Sequence, residues 1–169
     1  MPFHNSVSER RCSVTTQVAL KSFQDSEYYR MVKEMLLLLK AKDFHGAIHH
    51  FTWFEERYVE TLLDAVRSYK AVALICMGEY QAAEDILCDL RKKYEAGTLD
   101  ETVHFDIFLN SAKIANVSGD KTLWFQYMAL ARQNATLPQH TALVERCIKK
   151  FYFKDGEIPG AYVHIVSRS

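Results

Sequence analysis

The sequence predicts an all-α protein, a right-handed superhelix of about three antiparallel helical hairpins closed by a C-terminal capping helix. The first observation is a recurring polar turn between apolar helical runs. The turns read Lys42-Asp43-Phe44-x-x-Ala47, Gly78-Glu79-Tyr80-x-x-Ala83 and Gly119-Asp120-Lys121-x-x-Trp124. Asp43 to Glu79 is about 36 residues and Glu79 to Asp120 about 41, the period range of stacked two-helix repeats. The second observation is the scarcity of helix breakers: three prolines and six glycines in 169 residues, with none of either between Ala47 and Met77. That favours long helices over many short strands. A helical hairpin buries one face only, so several must stack and leave an extended surface for a partner.

Each element follows from the apolar spacing. Helix pattern starts near Asp25-Ser26, residues that cap a helix start, and continues through Tyr28, Met31, Val32, Met35, Leu36 and Leu39 at spacings of three and four. After the Asp43 turn, Ala47, Ile48, Phe51, Phe54 and Tyr58 carry it to about Val59. The second hairpin runs from Glu60 to Met77 and from Tyr80 to Tyr94, with Gly97 as its C-terminal cap. The third covers Asp100 to Val117 and Lys121 to Asn134. Thr141 to Tyr152 is a seventh helix without a mate, fit to cover the last hairpin's core face. The domain so defined is 25–152, between an N-terminal tail, 1–24, and a C-terminal extended tail or short strand, 153–169.

The bulk chemistry excludes several functions. Twenty-one basic and twenty-one acidic side chains cancel, which argues against nucleic acid or an anionic membrane as the main partner. No apolar stretch approaches the roughly 18 residues of a membrane span. The four cysteines form no CxxC pair, and Cys76 and Cys88 fall in apolar runs, so buried free thiols are expected. That usage, with no secretory apolar segment, places the chain in the cytoplasm; the nucleus and, through the Arg10-Arg11 tail, the mitochondrial matrix are the alternatives. There is no GxSxG elbow, P-loop or glycine-rich dinucleotide turn, so no enzyme activity and no cofactor is expected. His45 and His49 lie one turn apart, but no further local ligands complete a zinc site, and His45, His49 and His50 read as a surface cluster. Arg91-Lys92-Lys93 near a helix C-terminus complements the dipole without a ligand.

Over roughly Asp25 to Asn134 these residues resemble the tetratricopeptide repeat family. That family marks its turn with a glycine and an aromatic, followed three residues later by a small alanine. Gly78, Tyr80 and Ala83 match all three places, Phe44 and Ala47 two, and Gly119 one. Seven residues before each turn position the family has a small helix-contact residue, matched by Ala71 and Ala112 but not by Met35. The resemblance implies peptide binding on a wall made by the first helix of each pair. Its positions here are Tyr29, Val32, Leu36 and Leu39, then Ala65, Ser68, Val72 and Ile75, then Asp106, Leu109, Lys113 and Asn116. The subclass that clamps a chaperone's C-terminal carboxylate needs Lys and Asn donors where this chain has Val32, Leu36 and Val72, so such a clamp is not expected.

The partner expected is therefore a protein, as a peptide or a helix, held in a mostly apolar groove. Tyr29, Trp53, Phe54 and Trp124 are candidate anchors, and they would be equally at home as core residues. An integral subunit of a large assembly and an RNA-binding helical repeat are the alternative readings. In the tail, Ala161-Tyr162-Val163-His164-Ile165-Val166 is β-rich after Pro159-Gly160, and it reads as an extended tail lying against the last hairpin, with strand pairing to a partner or a second copy as the sharper alternative.

Overall fold

The computed structural model describes residues 27–58 and 63–152. Among these it is all-helical, with seven α-helices and no strand. They are α1 (Tyr29–Lys40), α2 (Phe44–Arg57), α3 (Asp64–Met77), α4 (Tyr80–Glu95), α5 (His104–Ser118), α6 (Lys121–Gln133) and α7 (Pro138–Tyr152), with a 3-10 turn at Glu101–Val103 before α5. The capping pair Asp25-Ser26, both tails and the Ala161–Val166 segment lie outside the described residues. Helix α7 starts three residues earlier than the apolar spacing indicates. Pro138 opens it, because a first-turn residue needs no backbone N–H and its φ is already helical.

The chain divides into two compact units between Trp53 and Phe54, within α2. In the first unit α1 buries Met35 completely, and α2 buries Ala47 and Phe51. His50 Nε2 lies 3.6 Å from a Glu34 carboxylate oxygen, a contact that links α1 to α2. In the second unit α3 packs on α4, α4 on α5, α5 on α6 and α6 on α7, and α3 also meets α5. Helix α5 is the most enclosed: Phe105, Ile107, Phe108, Leu109, Asn110, Ser111, Ala112 and Ala115 are all buried. Its apolar residues run nearly all round, which is how a helix sheathed by neighbours reads.

The three polar turns share one backbone design. Lys42, Gly78 and Gly119 each stand in the left-handed region, with φ of 61°, 81° and 77°. Each sends its N–H to the carbonyl three residues back: Leu39, Ile75 and Asn116. The next residue, Asp43, Glu79 or Asp120, reaches five back, to Leu38, Leu74 and Ala115. Two otherwise orphaned helix-end carbonyls are thereby satisfied at each turn. That next residue then caps the following helix. Asp43 Oδ1 accepts the Gly46 N–H and Asp120 Oδ1 the Leu123 N–H, both at 2.9 Å, whereas Glu79, one methylene longer, makes no such side-chain bond.

Ala47 and Ala83, four residues after the capping position, are fully buried, as are the helix-contact residues Met35 and Ala71. Trp124 takes the alanine's place in the third turn. Its ring stacks on Phe151 of α7 at 4.2 Å and meets Phe125 edge-on at 5.0 Å, so the bulk is absorbed by the last helix.

Lys42 holds a conformation that costs a side-chain-bearing residue roughly 1 kcal/mol. Lys42→Gly is expected to raise unfolding stability by about 0.5–1 kcal/mol. Gly78→Ala is expected to lower it by about 1 kcal/mol, because the added Cβ meets nothing within 4 Å and only the backbone strain remains. Urea unfolding of both variants measures the pair; a neutral or destabilising Lys42→Gly contradicts the argument.

Candidate functional site

The wall positions implied by the sequence fall into two groups. On α1, Tyr29 and Leu36 are exposed, at 56% and 37%, and Leu37 between the same turns is 64% exposed. Val32 and Leu39 are half-buried on the same helix. The Lys33 ammonium sits 4.9 Å above the Tyr29 ring, a cation–π contact that orients the tyrosine. In the second unit, where α3 meets α5, Val72 and Ile75 of α3 are half-buried and Lys113 and Asn116 of α5 are exposed. Ser68 and Leu109 from the same set are interior, at 1% and 8% exposure. Among the candidate anchors, Phe54 and Trp124 are core residues, Trp53 is half-buried and Tyr29 alone is well exposed.

Polar chemistry concentrates along one stripe of α5. Asp106, Asn110 and Lys113 recur at spacings of four and three, one face of the helix. Lys113 Nζ donates to Asn110 Oδ1 at 3.0 Å, which satisfies the buried amide oxygen. Asp106 is half-buried, and among the described residues no hydrogen bond supports its carboxylate. Burial pushes its pKa above the ordinary range, against the opposing pull of the His140 and Lys113 charges. Tyr69 of α3 has its phenol pushed up as well, by burial first and then by the charge of Asp106. His140, in the first turn of α7, stacks its ring parallel to Phe105 at 4.0 Å. Its Nδ1 is buried and has no hydrogen-bond partner among the described residues, and the same holds for Ser68 Oγ. Asp106 belongs to the wall the sequence implies; Tyr69 and His140 do not, since nothing in either residue's neighbourhood marks it as facing α5.

A second polar junction serves architecture. Arg91 of α4 pairs with Glu84 and donates from Nη1 to Ser111 Oγ of α5 at 2.7 Å. Its guanidinium also lies 5.0 Å from the centre of the Tyr127 ring of α6. Burial works against the Arg91 charge, but the hydrogen bonds and charge of Glu84 outweigh it and the pKa rises. Its sequence neighbours do different work: Lys93 pairs with Asp64 of α3, and Lys92 meets Asp89 on the surface. Dipole complementation therefore describes Lys92 but not Arg91, whose side chain fastens three helices. Tyr94 adds an aromatic clasp, edge-on to His104 at 4.7 Å and to Phe108 at 4.8 Å, with Asn134 donating to its hydroxyl.

His45 and His49 are exposed, while His50 Nδ1 lies 3.2 Å from the Gly46 carbonyl. No group of three or more His, Cys, Asp or Glu residues is placed to hold a metal among the described residues. Cys76 is exposed and Cys88 half-buried, contrary to the buried thiols expected of apolar runs, because each lies on the outer flank of its helix's stripe. No described helix is long and apolar enough to cross a membrane. Neither a family model, nor a curated protein, nor a solved structure matches the chain.

The raised Asp106 pKa has a sign that stability measurements can read. Native Asp106 holds its proton to higher pH than the unfolded chain does, so its contribution to folding falls as pH climbs from the usual carboxylate value through the native one. Asp106→Asn is therefore expected to melt higher than the native sequence at pH 7. That gain should vanish below the ordinary carboxylate pKa of about 3.9. Melting temperatures of both proteins at the two pH values check this, and a lower melting temperature for the variant at pH 7 contradicts it.

Proposed function

We propose that the chain is a non-enzymatic protein-interaction module of the tetratricopeptide-like α-solenoid kind, which captures a segment of a partner protein on the faces of its first helices. The observation that carries the proposal is the exposed apolar surface of α1, where Tyr29, Leu36 and Leu37 stand in solvent beside half-buried Val32 and Leu39. Contiguous apolar surface of this sort marks an interaction site more often than an idle face. The shared backbone of the turns at Lys42, Gly78 and Gly119 supports a repeat architecture. The finer reading, helix pairs stacked in a right-handed superhelix, rests on the period of those turns.

In this reading an amphipathic helix or an extended segment lays its apolar side chains against α1, and removal of Tyr29 and Leu36 from water supplies most of the affinity. Tyr29 and Leu36 are already partly buried, so covering what remains of each contributes about 0.5–1.5 kcal/mol, a fraction of the value for a fully exposed side chain. The balanced charge of the chain supports a protein rather than a nucleic acid or an anionic membrane as partner.

The test uses a partner first recovered by affinity purification and then reconstituted from purified components. Tyr29→Ser combined with Leu36→Ser is expected to weaken that complex at least tenfold while leaving the melting temperature of the free chain within about 2 °C, since surface changes usually cost under 0.5 kcal/mol. Undiminished affinity in the correctly folded variant removes α1 from the proposal.

A further inference from the structure

The outward face of α1 is apolar and cationic at once. At 100° per residue, Leu36, Tyr29, Lys40, Lys33, Leu37 and Arg30 fall in that order round the axis, within an arc of roughly 120°. All six are exposed, and the arc lies opposite buried Met35. The outer face of an amphipathic helix is ordinarily polar. Here three large apolar side chains interleave with three cations, and no carboxylate interrupts them. The charges are also uncompensated. In the second unit Arg67, Lys70, Arg91, Lys92, Lys93 and Arg132 each stand within ion-pair distance of a carboxylate. Among the described residues Arg30, Lys33 and Lys40 have no such partner. Glu34, the only acid of α1, lies off the arc beside His50. The Lys33 ammonium rests instead 4.9 Å from the centre of the Tyr29 ring.

Cations set among exposed apolar side chains select an occupant that brings carboxylates. We infer that this arc of α1 receives an acidic amphipathic segment of another protein, its apolar residues covering Tyr29, Leu36 and Leu37 and its Asp or Glu side chains pairing with Arg30, Lys33 and Lys40. The inference rests on the protein-capture reading and names the partner's chemistry. Apolar burial supplies the affinity, while complementary charge sets selectivity and the rate of association. Other occupants match the face less well. Residues 1–24 of the chain itself carry Arg10, Arg11 and Lys21 against Glu9 alone, and a second copy docked through the same face brings like charges together. A helix lying on an anionic membrane keeps its cations on the face away from the lipid tails, whereas Lys33 and Lys40 lie between Leu36 and Leu37 on the arc.

The probe is a displayed library of random linear peptides, selected on the full chain at low ionic strength. Its strongest binders are then synthesised with amidated C-termini, so that only side-chain carboxylates are tested, and titrated by fluorescence anisotropy. Selected sequences should be enriched in Asp and Glu among apolar residues, and their affinity should fall as salt is raised. The variant Arg30→Gln/Lys33→Gln/Lys40→Gln, its fold checked by circular dichroism, should bind them at least tenfold more weakly. Lys33→Arg/Lys40→Arg, which keeps the charge, should bind them within about threefold of the native chain, because Arg and Lys differ mainly where bidentate or stacking geometry matters. Failure to enrich acidic sequences, or equal binding by the folded glutamine variant, would overturn the inference. So would self-association of the chain, or binding to phosphatidylserine vesicles in place of acidic peptides, that the glutamine variant abolishes. Binders that need Tyr29 and Leu36 without being acidic overturn this inference alone; binders indifferent to Tyr29 and Leu36 overturn the capture reading with it.

Discussion

Much of the second unit hangs on what Arg91 does with one side chain. It draws Glu84 of its own helix, Ser111 of α5 and the Tyr127 ring of α6 into a single junction. Ser111 is buried, and an unmet hydroxyl there would cost the fold directly. The junction also fixes how α5 is turned. At 100° per residue, Ser111 lies roughly 140° round the helix from Asp106, so anchoring the one presents the other on the far side. The same helix therefore has a face tied to the Arg91 junction and another that carries the half-buried Asp106.

The turns supply the second constraint. A left-handed residue followed by an acidic one ends one helix and starts the next within two residues, and it recurs at Lys42-Asp43, Gly78-Glu79 and Gly119-Asp120. Variation between the three is absorbed locally. Lysine occupies the strained place once, glutamate loses the side-chain cap once, and tryptophan replaces the crossing alanine where Phe151 of α7 offers a ring to stack against. Backbone geometry tolerates these changes because two hydrogen bonds per turn define it, whatever the side chain.

What was legible in the sequence follows from periodicity and turn chemistry. Apolar spacing and the turn residues place α2, α4 and α6 to within about two residues at each end, the ordinary uncertainty of helix boundaries. The Gly97 cap is also where the sequence puts it, at φ 68°. Periodicity tells which residues share a face, but not which neighbour that face meets. Hence Phe54 and Trp124 read equally well as anchors or core and prove to be core, and Ser68 and Leu109 read as wall and prove to be interior. Arg91 is invisible as a junction because its partners at Ser111 and Tyr127 lie about 20 and 36 residues away, and a charge near a helix end has a sufficient local explanation. The polar stripe of α5 was legible, because Asp106, Asn110 and Lys113 interrupt an apolar helix at i, i+4 and i+7, whereas the stack of His140 on Phe105 was not, since it arises only through packing.

Native-state hydrogen exchange on α5 is the measurement closest to the central claim, that the Arg91 junction holds this helix in place. In the native sequence, the α5 amides around Ser111 should exchange only through global unfolding. Arg91→Ala should destabilise the unit by about 2 kcal/mol, the scale of hydrogen bonds to a charged group, and bring those amides out by a local opening. Arg91→Lys, which keeps the charge but not the fork, should recover only part of the protection. Unchanged protection of α5 in Arg91→Ala, with an unchanged melting temperature, would contradict the account.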